Sequence, residues 1–265
     1  MNEPTVTTEI DKRGVARLWL NRAEKHNAFD DAIIAELDTA LETLARDSNV
    51  RVVILGSAGK SFSAGADLGW MQRMATYGHE ENLQDARALA EMLRKLNNLP
   101  QPSIARVQGA AYGGAVGLVS CCDLAIGSEH ARLCLSEVKI GLIPATISPY
   151  VIAAMGQRAA RRYFTTAEVI SAEQALALGL LSEVVSADEL DSCIEAQVET
   201  LLGNGPQAVR DAKRLVLEYS NHPITADIIE DSCRRIADIR GSNEGQSGLK
   251  AFLSKQPAPW SNDDV

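Results

Sequence analysis

The spacing of hydrophobic positions changes several times along the chain. Thr5–Ile10 and Val15–Leu20 are strand-like runs separated by Asp11-Lys12-Arg13-Gly14, which predicts a hairpin with a glycine ending its turn. Asp30 or Asp31 can cap a helix in which Ile33, Ile34, Leu37, Leu41 and Leu44 recur at helical spacing up to about Asp47. Val50–Leu55 is nearly continuous apolar sequence before Gly56, the pattern of a strand buried on both faces. A loop rich in Gly, Ala and Ser follows, then a helix carrying Leu83, Ala86, Leu89, Ala90, Leu93 and Leu96 that stops before Pro100 and Pro102. Ile104–Val107 predicts a short strand. Gly113–Val119 is small and apolar, which predicts a buried helix whose start packs very closely against a neighbour. Leu124–Ile126 and Ala131–Leu135 predict two more short strands. From about Ala187 the pattern is helical throughout, over Leu190–Leu202, Pro206–Tyr219, Ile224–Ile239 and Glu244–Leu253, before a polar tail, Gln256–Val265. The N-terminal part alternates strands with helices and the remainder is helical, which makes the chain α/β with a helical appendage. No internal repeat is evident.

Composition narrows the possible partners. The 265 residues, 46% hydrophobic and 23% charged, suit a folded soluble chain that needs neither disulfides nor a structural metal. Twenty-six Lys and Arg against 35 Asp and Glu leave a net charge of −9, which argues against nucleic acid or an anionic membrane held by bulk charge. A local basic patch for a phosphorylated ligand stays open. Cys121, Cys122, Cys134, Cys193 and Cys233 are odd in number and form no C-x-x-C pair, so they read as buried small hydrophobes in a reducing compartment. Met1-Asn2-Glu3-Pro4-Thr5 leads into no basic-then-apolar segment, and apolar stretches are interrupted well before about 20 residues. The expectation is a cytoplasmic protein with no signal peptide and no membrane span.

Several familiar motifs fail on inspection. Gly59-Lys60-Ser61 lacks the earlier glycine of a phosphate loop, since position 54 is Ile54. Gly114-Ala115-Val116-Gly117 lacks the leading glycine of a dinucleotide fingerprint, since position 112 is Tyr112. His26, His79, His130 and His222 show no metal spacing and no nucleophile elbow is present, so no metal site is expected. Any chemistry must therefore rest on backbone donors and carboxylates. Ser61–Leu68 and Gln108–Ala115 each place small residues at the end of a strand and before a helix, where free N–H groups can converge on an oxyanion. Small residues there serve tight turns and close packing as well, and spacing alone favours that plainer reading.

Four linked segments change the balance. Phe62–Leu68 (FSAGADL), Val107–Gly114 (VQGAAYGG), Cys122–Ile126 (CDLAI) and Leu135–Pro144 (LSEVKIGLIP) resemble the crotonase (enoyl-CoA hydratase/isomerase) superfamily. Asn21–Phe29 (NRAEKHNAF) and Gly248–Lys255 (GLKAFLSK) extend the resemblance to essentially the whole chain. It implies a spiral of ββα turns over residues 1–190 and a C-terminal helical oligomerisation region over 191–265, assembled as a homotrimer or homohexamer. It implies an acyl-CoA substrate, no separate cofactor, and the N–H groups of Ala66 and Gly114 as donors to the thioester oxygen. Ala28, Ala64, Asp67, Leu68 and Gly117 are its substrate or CoA contacts, joined by Phe252 and Lys255 from the terminal helix. Asp67 also suits a helix cap, Asp123 a hydrogen-bond anchor, and Trp70, Met71 and Met74 either packing or the acyl pocket. Arg158, Arg161 and Arg162 suit CoA phosphates, another subunit or solvent.

The chain departs from the superfamily at one carboxylate. Hydratases of this type use two glutamates; the second aligns with Glu137, and the first falls at Gly117. Glu137 stands among Leu133, Leu135, Val138 and Ile140, where desolvation raises a carboxyl toward values useful for general acid–base work. Gly117 is expected to leave room for a substrate carboxylate or a water, and Thr146 and Ser148 to offer hydroxyl contacts or to cap a helix. With Pro144-Ala145-Thr146-Ile147-Ser148-Pro149-Tyr150, the motifs look like those of bacterial methylglutaconyl-CoA and isohexenylglutaconyl-CoA hydratases, of leucine and acyclic terpene catabolism. The expected activity is hydration of a 3-branched glutaconyl-CoA, with Glu137 as general acid/base. The alternatives are a Δ3,Δ2-enoyl-CoA isomerase and a non-catalytic acyl-CoA-binding subunit.

Overall fold

The structure, a computed structural model, describes residues 4–261. Met1, Asn2 and Glu3, and the last four residues of the polar tail, lie outside the described residues. Strands β1 (Val6–Ile10) and β2 (Val15–Leu20) form the expected hairpin. Gly14 turns it at φ +83°, and a Cβ there would fall 2.2 Å from the Asn49 carbonyl oxygen, so only glycine fits. Helix α1 (Asp31–Arg46) is capped by Asp30, which accepts from the Ile33 N–H at 3.1 Å, and it buries all five apolar residues of the predicted stripe. β3 (Val52–Ser57) is buried along its length, as its apolar run requires. Then come α2 (Leu68–Met74), α3 (His79–Asn97), β4 (Ser103–Val107), β5 (Ala110–Tyr112) and α4 (Gly114–Cys121). β6 (Leu124–Ser128) and β7 (Arg132–Cys134) lead through a 3-10 turn at Glu137–Ile140 to α5 (Ser148–Thr166). β8 (Ile170–Ser171), α6 (Ala172–Ala177), β9 (Glu183–Val185) and α7 (Leu190–Leu202) precede α8 (Pro206–Tyr219), α9 (Ala226–Gly241) and α10 (Asn243–Leu253).

Two sheets form two walls. The larger has the order β1-β2-β3-β4-β6-β9, antiparallel at β1 and parallel elsewhere; the smaller has β5-β7-β8. Each turn of the chain adds one strand to the large wall, a short extended piece to the other, and then a helix: β4, β5, α4, then β6, β7, α5. Isolated parallel bridges Ser63–Ala111 and Phe29–Ala66 continue this stacking to the turns before β5. The result is a spiral of ββα turns, the fold class expected.

The main core lies within the spiral and is filled by α1, α3, α4 and α5 side chains against the inner face of the large sheet. At about 1.5–3 kcal/mol for each fully buried large aliphatic side chain, this core is the dominant stabilising element. A second, smaller cluster covers the other face, where Leu190, Ile194, Val198 and Leu202 of α7 pack on Val15, Val52, Ile54, Ile104 and Ile126. This packing joins α7 to the sheet, so the helical region that stands apart begins after Leu202 and not at 191. Its α8 docks at the N-terminal ends of the parallel strands: Arg210 donates to the Val50 carbonyl at 2.8 Å, and Lys213 to Asp123 at 2.7 Å. Asp123 also accepts from the Ser103 N–H and hydroxyl, the anchor its position suggested. The cysteines follow the expectation only in part: Cys121 and Cys134 are buried, Cys122 and Cys193 half-buried, and Cys233 is exposed on α9.

Candidate active site

Stacked turns bring together residues far apart in sequence. Ser63 pairs with β5 through Ser63 N–H to the Ala110 carbonyl and Tyr112 N–H to the Ser63 carbonyl, both 3.0 Å. Three residues on, the chain pairs with the previous turn: Phe29 N–H donates to the Gly65 carbonyl at 2.9 Å, and Asp67 N–H to the Phe29 carbonyl at 3.0 Å. In such a ladder alternate residues face opposite ways, so the Ala66 N–H points away from Phe29. Among the described residues it meets no acceptor.

Gly114 supplies a second free N–H. It is the first residue of α4, whose opening N–H groups have no intrahelical partner and carry partial positive charge. Gly113 makes the turn from β5 into α4 at φ 55°, ψ −125°, a conformation that requires glycine, while its own N–H donates to the Cys134 carbonyl at 2.8 Å. A Cβ on Gly113 would lie 3.3 Å from Glu137 Oε1, which places the carboxylate beside the start of α4.

Glu137 opens the 3-10 turn and is half-buried. Its Oε2 is buried and, among the described residues, has no hydrogen-bond partner. Burial pushes its carboxyl above the ordinary value of 4.5, with its own backbone N–H offsetting part of the rise. A buried carboxylate oxygen left without a donor is costly, and folds retain such groups where a ligand or a reaction uses them.

The donor loop is held rigidly from outside. Asn27, 1% exposed and at φ 54°, donates its side-chain amide to the carbonyls of Ala58 at 2.7 Å and Ser61 at 2.9 Å. Gln108 donates to the Ser57 carbonyl at 3.0 Å and the Ser61 carbonyl at 3.2 Å. Asp67 caps α2 by accepting from the N–H groups of Gly69 at 2.8 Å and Trp70 at 3.2 Å, and it pairs with Lys25 and Arg22, each at 3.4 Å. Burial alone would raise the Asp67 carboxyl, yet the Trp70 and Gly69 N–H groups and Lys25 outweigh it and hold the group below its ordinary range. Its cap role is therefore structural.

Of the residues singled out from sequence, Ala66, Gly114 and Glu137 come together. Ala64 and Leu68 are exposed beside them, Leu68 at 76%, and the buried Ala28 precedes Phe29 under the same loop. Gly117 is a correction. A Cβ there would fall 2.3 Å from Ile147 Cγ2 and 3.5 Å from Leu93 Cδ2, so the glycine makes space for the fully buried Ile147 and none for a carboxylate or water. Phe252 and Lys255 stand away from the site of their own chain. Phe252 lies in α10 and Lys255 two residues past its end; α10 packs on α8 and α9, and α8 sits at the N-terminal strand ends, opposite the loops that follow β3 and β5. The Ser148 hydroxyl is spent on the Ala145 carbonyl at 2.7 Å. Trp70 is buried, donates to Asp85 at 3.2 Å and tilts against Phe29 at 6.5 Å, so it packs. Arg162 is tied to Glu168 at 2.6 Å.

Sequence reading did not single out Asn27, Phe29, Gln108 or Ile147. Asn27 and Phe29 lie within the NRAEKHNAF segment, but nothing in it announces a left-handed Asn or a ring placed under Gly114. Two free N–H groups can stabilise a developing oxyanion, and a desolvated carboxylate beside the start of α4 can move a proton next to it.

The model for the family described as enoyl-CoA hydratase/isomerase matches residues 11–263. Among curated proteins, the chain is 33% identical to a short-chain-enoyl-CoA hydratase of Clostridium acetobutylicum, over 93% of this chain and 94% of that protein. Among solved structures it is similar to an enoyl-CoA hydratase of Shewanella pealeana, at 45% identity, a TM-score of 0.93, and coverage of 97% of this chain and 96% of the other. Pseudomonas aeruginosa AtuE is 33% identical with the same TM-score, covering 98% of this chain and 100% of its own.

Proposed function

The chain belongs to the enoyl-CoA hydratase/isomerase family, and on that premise we propose that it adds water across the double bond of a 3-branched glutaconyl-CoA using one carboxylate. The observation that carries this reading is the buried, unpartnered Glu137 oxygen beside the free N–H groups of Ala66 and Gly114. The thioester oxygen accepts from both N–H groups and does so more strongly as an enolate forms, which is differential stabilisation of the transition state. Ionised Glu137 takes a proton from water as the water oxygen bonds to C3. Protonated Glu137 then returns the proton to C2 as the enolate collapses to the thioester. The balance closes with coenzyme A carried on the substrate and no further cofactor.

Support for the substrate class comes from the motif likeness to methylglutaconyl-CoA and isohexenylglutaconyl-CoA hydratases, and from the site itself. Ile147 occupies the space of a second carboxylate, so a substrate that brings its own negative charge meets no like charge there. Exposed Leu68, Ile140, Leu142 and Ile143 supply an apolar rim for the branch. We place the enzyme as a homotrimer or homohexamer in which a neighbouring copy brings Phe252 and Lys255 to the coenzyme A. The cytoplasm suits its five free cysteines, and among the described residues no helix is long and apolar enough to cross a membrane.

The test is a chromatographic assay with 3-methylglutaconyl-CoA, isohexenylglutaconyl-CoA and crotonyl-CoA in oxygen-18 water, with Glu137→Gln alongside. The expected result is label in a 3-hydroxy product from a glutaconyl substrate, slower crotonyl-CoA turnover, and a fall of about 10²–10⁴-fold in the variant. A shifted double bond without label would assign the isomerase reaction instead. Binding of all three without turnover would assign a non-catalytic acyl-CoA-binding role.

A further inference from the structure

We propose that Phe29 is a positioning residue that sets the separation and direction of the two oxyanion donors; this rests on the reading of the Ala66 and Gly114 N–H groups as that pair. Three observations converge on this one side chain and its backbone. The Phe29 N–H donates to the Gly65 carbonyl at 2.9 Å. That carbonyl and the Ala66 N–H belong to the same planar peptide, so pinning one end fixes where the other points. The Phe29 carbonyl accepts from the Asp67 N–H at 3.0 Å, which clamps the far side of Ala66.

The ring then reaches the other donor. A Cβ on Gly114 would fall 2.6 Å from Phe29 Cζ, 3.2 Å from Cε2 and 3.7 Å from Cε1, so the ring edge lies directly against the Gly114 α-carbon. Phe29 is 2% exposed and its ring is backed by Trp70 at 6.5 Å, with an interplanar angle of 47°. The backbone of one residue therefore holds the first donor while its side chain sets the position of the second. Buried beneath the donor loop, Phe29 acts through Ala66 and Gly114. The contact on Gly114 is made by the far end of the rigid ring, beyond the reach of a leucine side chain, and a misplacement of about 1 Å in a catalytic array costs on the order of 10²-fold in rate.

The pair also offers a compensating change. Gly114 has no positive φ, so alanine is conformationally acceptable there once the ring is removed. The experiment compares wild type, Phe29→Leu and the double variant Phe29→Leu/Gly114→Ala, each as the full chain. Rates are measured on the best glutaconyl substrate, together with the absorption of bound 4-(dimethylamino)cinnamoyl-CoA, whose band moves to longer wavelength as its carbonyl is polarised. The expected result is a red-shifted band in wild type and a largely lost shift in Phe29→Leu. In that variant kcat falls by about 10–100-fold while KM changes by less than about threefold. The double variant is expected to regain most of the shift and of kcat, which a merely lost packing contact would not produce. A full shift and unchanged kcat in Phe29→Leu, with only a lower unfolding temperature, would overturn the positioning role. No shift in wild type would overturn the donor reading itself, and the positioning role with it.

Discussion

Helices α1 and α9 are both 16 residues long, both begin at an oxygen-bearing cap that accepts from the third helical N–H, and both carry an apolar stripe. In α1 the stripe is wholly buried, with Ile33, Ile34, Leu37, Leu41 and Leu44 all at 1–2% exposure. In α9 no residue is buried, and Ile229 and Ile236 stand at 53% and 47%. The same division holds between the spiral and α8–α10 as a whole, since none of those three helices buries a residue while Val216, Leu249, Phe252 and Leu253 are open. Local signals make both helices; burial depends on what the rest of the chain presents. The spiral buries a large core of its own and leaves Leu68, Ile140, Leu142 and Ile143 open around the loops that carry the candidate site. The terminal helices bury no residue at all, and the assembly proposed above would cover them with another copy.

Changes in the spiral should therefore be felt in catalysis and folding, and changes in the terminal helices in association. The largest effect is expected at Glu137, where Gln removes the proton-transfer group and about 10²–10⁴-fold of rate. The same substitution tests the burial of the carboxyl. Its value is raised in the fold above that of the unfolded chain, so the protonated form is favoured by folding. That contribution is full below the unfolded value and is lost as pH rises through the folded one. Glu137→Gln lacks this loss, so its unfolding temperature relative to wild type should climb as pH rises from the ordinary value of 4.5 through the raised one. A pH-independent difference would mean that the carboxyl titrates normally and is not desolvated. Wild-type turnover should rise with pH through the same raised value, since the ionised form takes the proton from water.

An intermediate effect belongs to Gly117→Ala. Its Cβ would overlap Ile147, and overpacking of this kind costs about 1–3 kcal/mol. Thermal unfolding should show the loss, and Gly117→Ala/Ile147→Ala should recover part of it. Equal stability of Gly117→Ala and wild type would mean that the space is open after all, as the sequence reading expected. The smallest effect on folding is expected from Phe252→Ser/Leu253→Ser, within about 0.5 kcal/mol because both side chains are exposed in the single chain. Light scattering should instead show a smaller particle, and steady-state kinetics an increased KM for acyl-CoA. An unchanged mass and KM would remove the assembly reading and leave α10 a solvated helix.

The sequence by itself determined the hairpin, the α1 stripe, the buried β3, the terminal helices and, through four linked motifs, the family and three candidate site residues that the fold brings together. These features are local: a cap, a period, or a run of small residues before a helix is written within a dozen positions. It did not announce α5, whose stripe is interrupted where Gly156 breaks the helix at φ +76°, nor the short strands β5, β8 and β9, which exist only because neighbouring turns pair with them. Only the tertiary structure decided that Gly117 answers to Ile147, that Gly114 answers to Phe29, and that Phe252 and Lys255 stand away from the site of their own chain. The first two follow from the stacking of spiral turns, which sets residues 30 and 85 positions apart side by side at van der Waals distance, and the third from where α8 docks. No pattern along one turn records which side chain the next turn will bring against it.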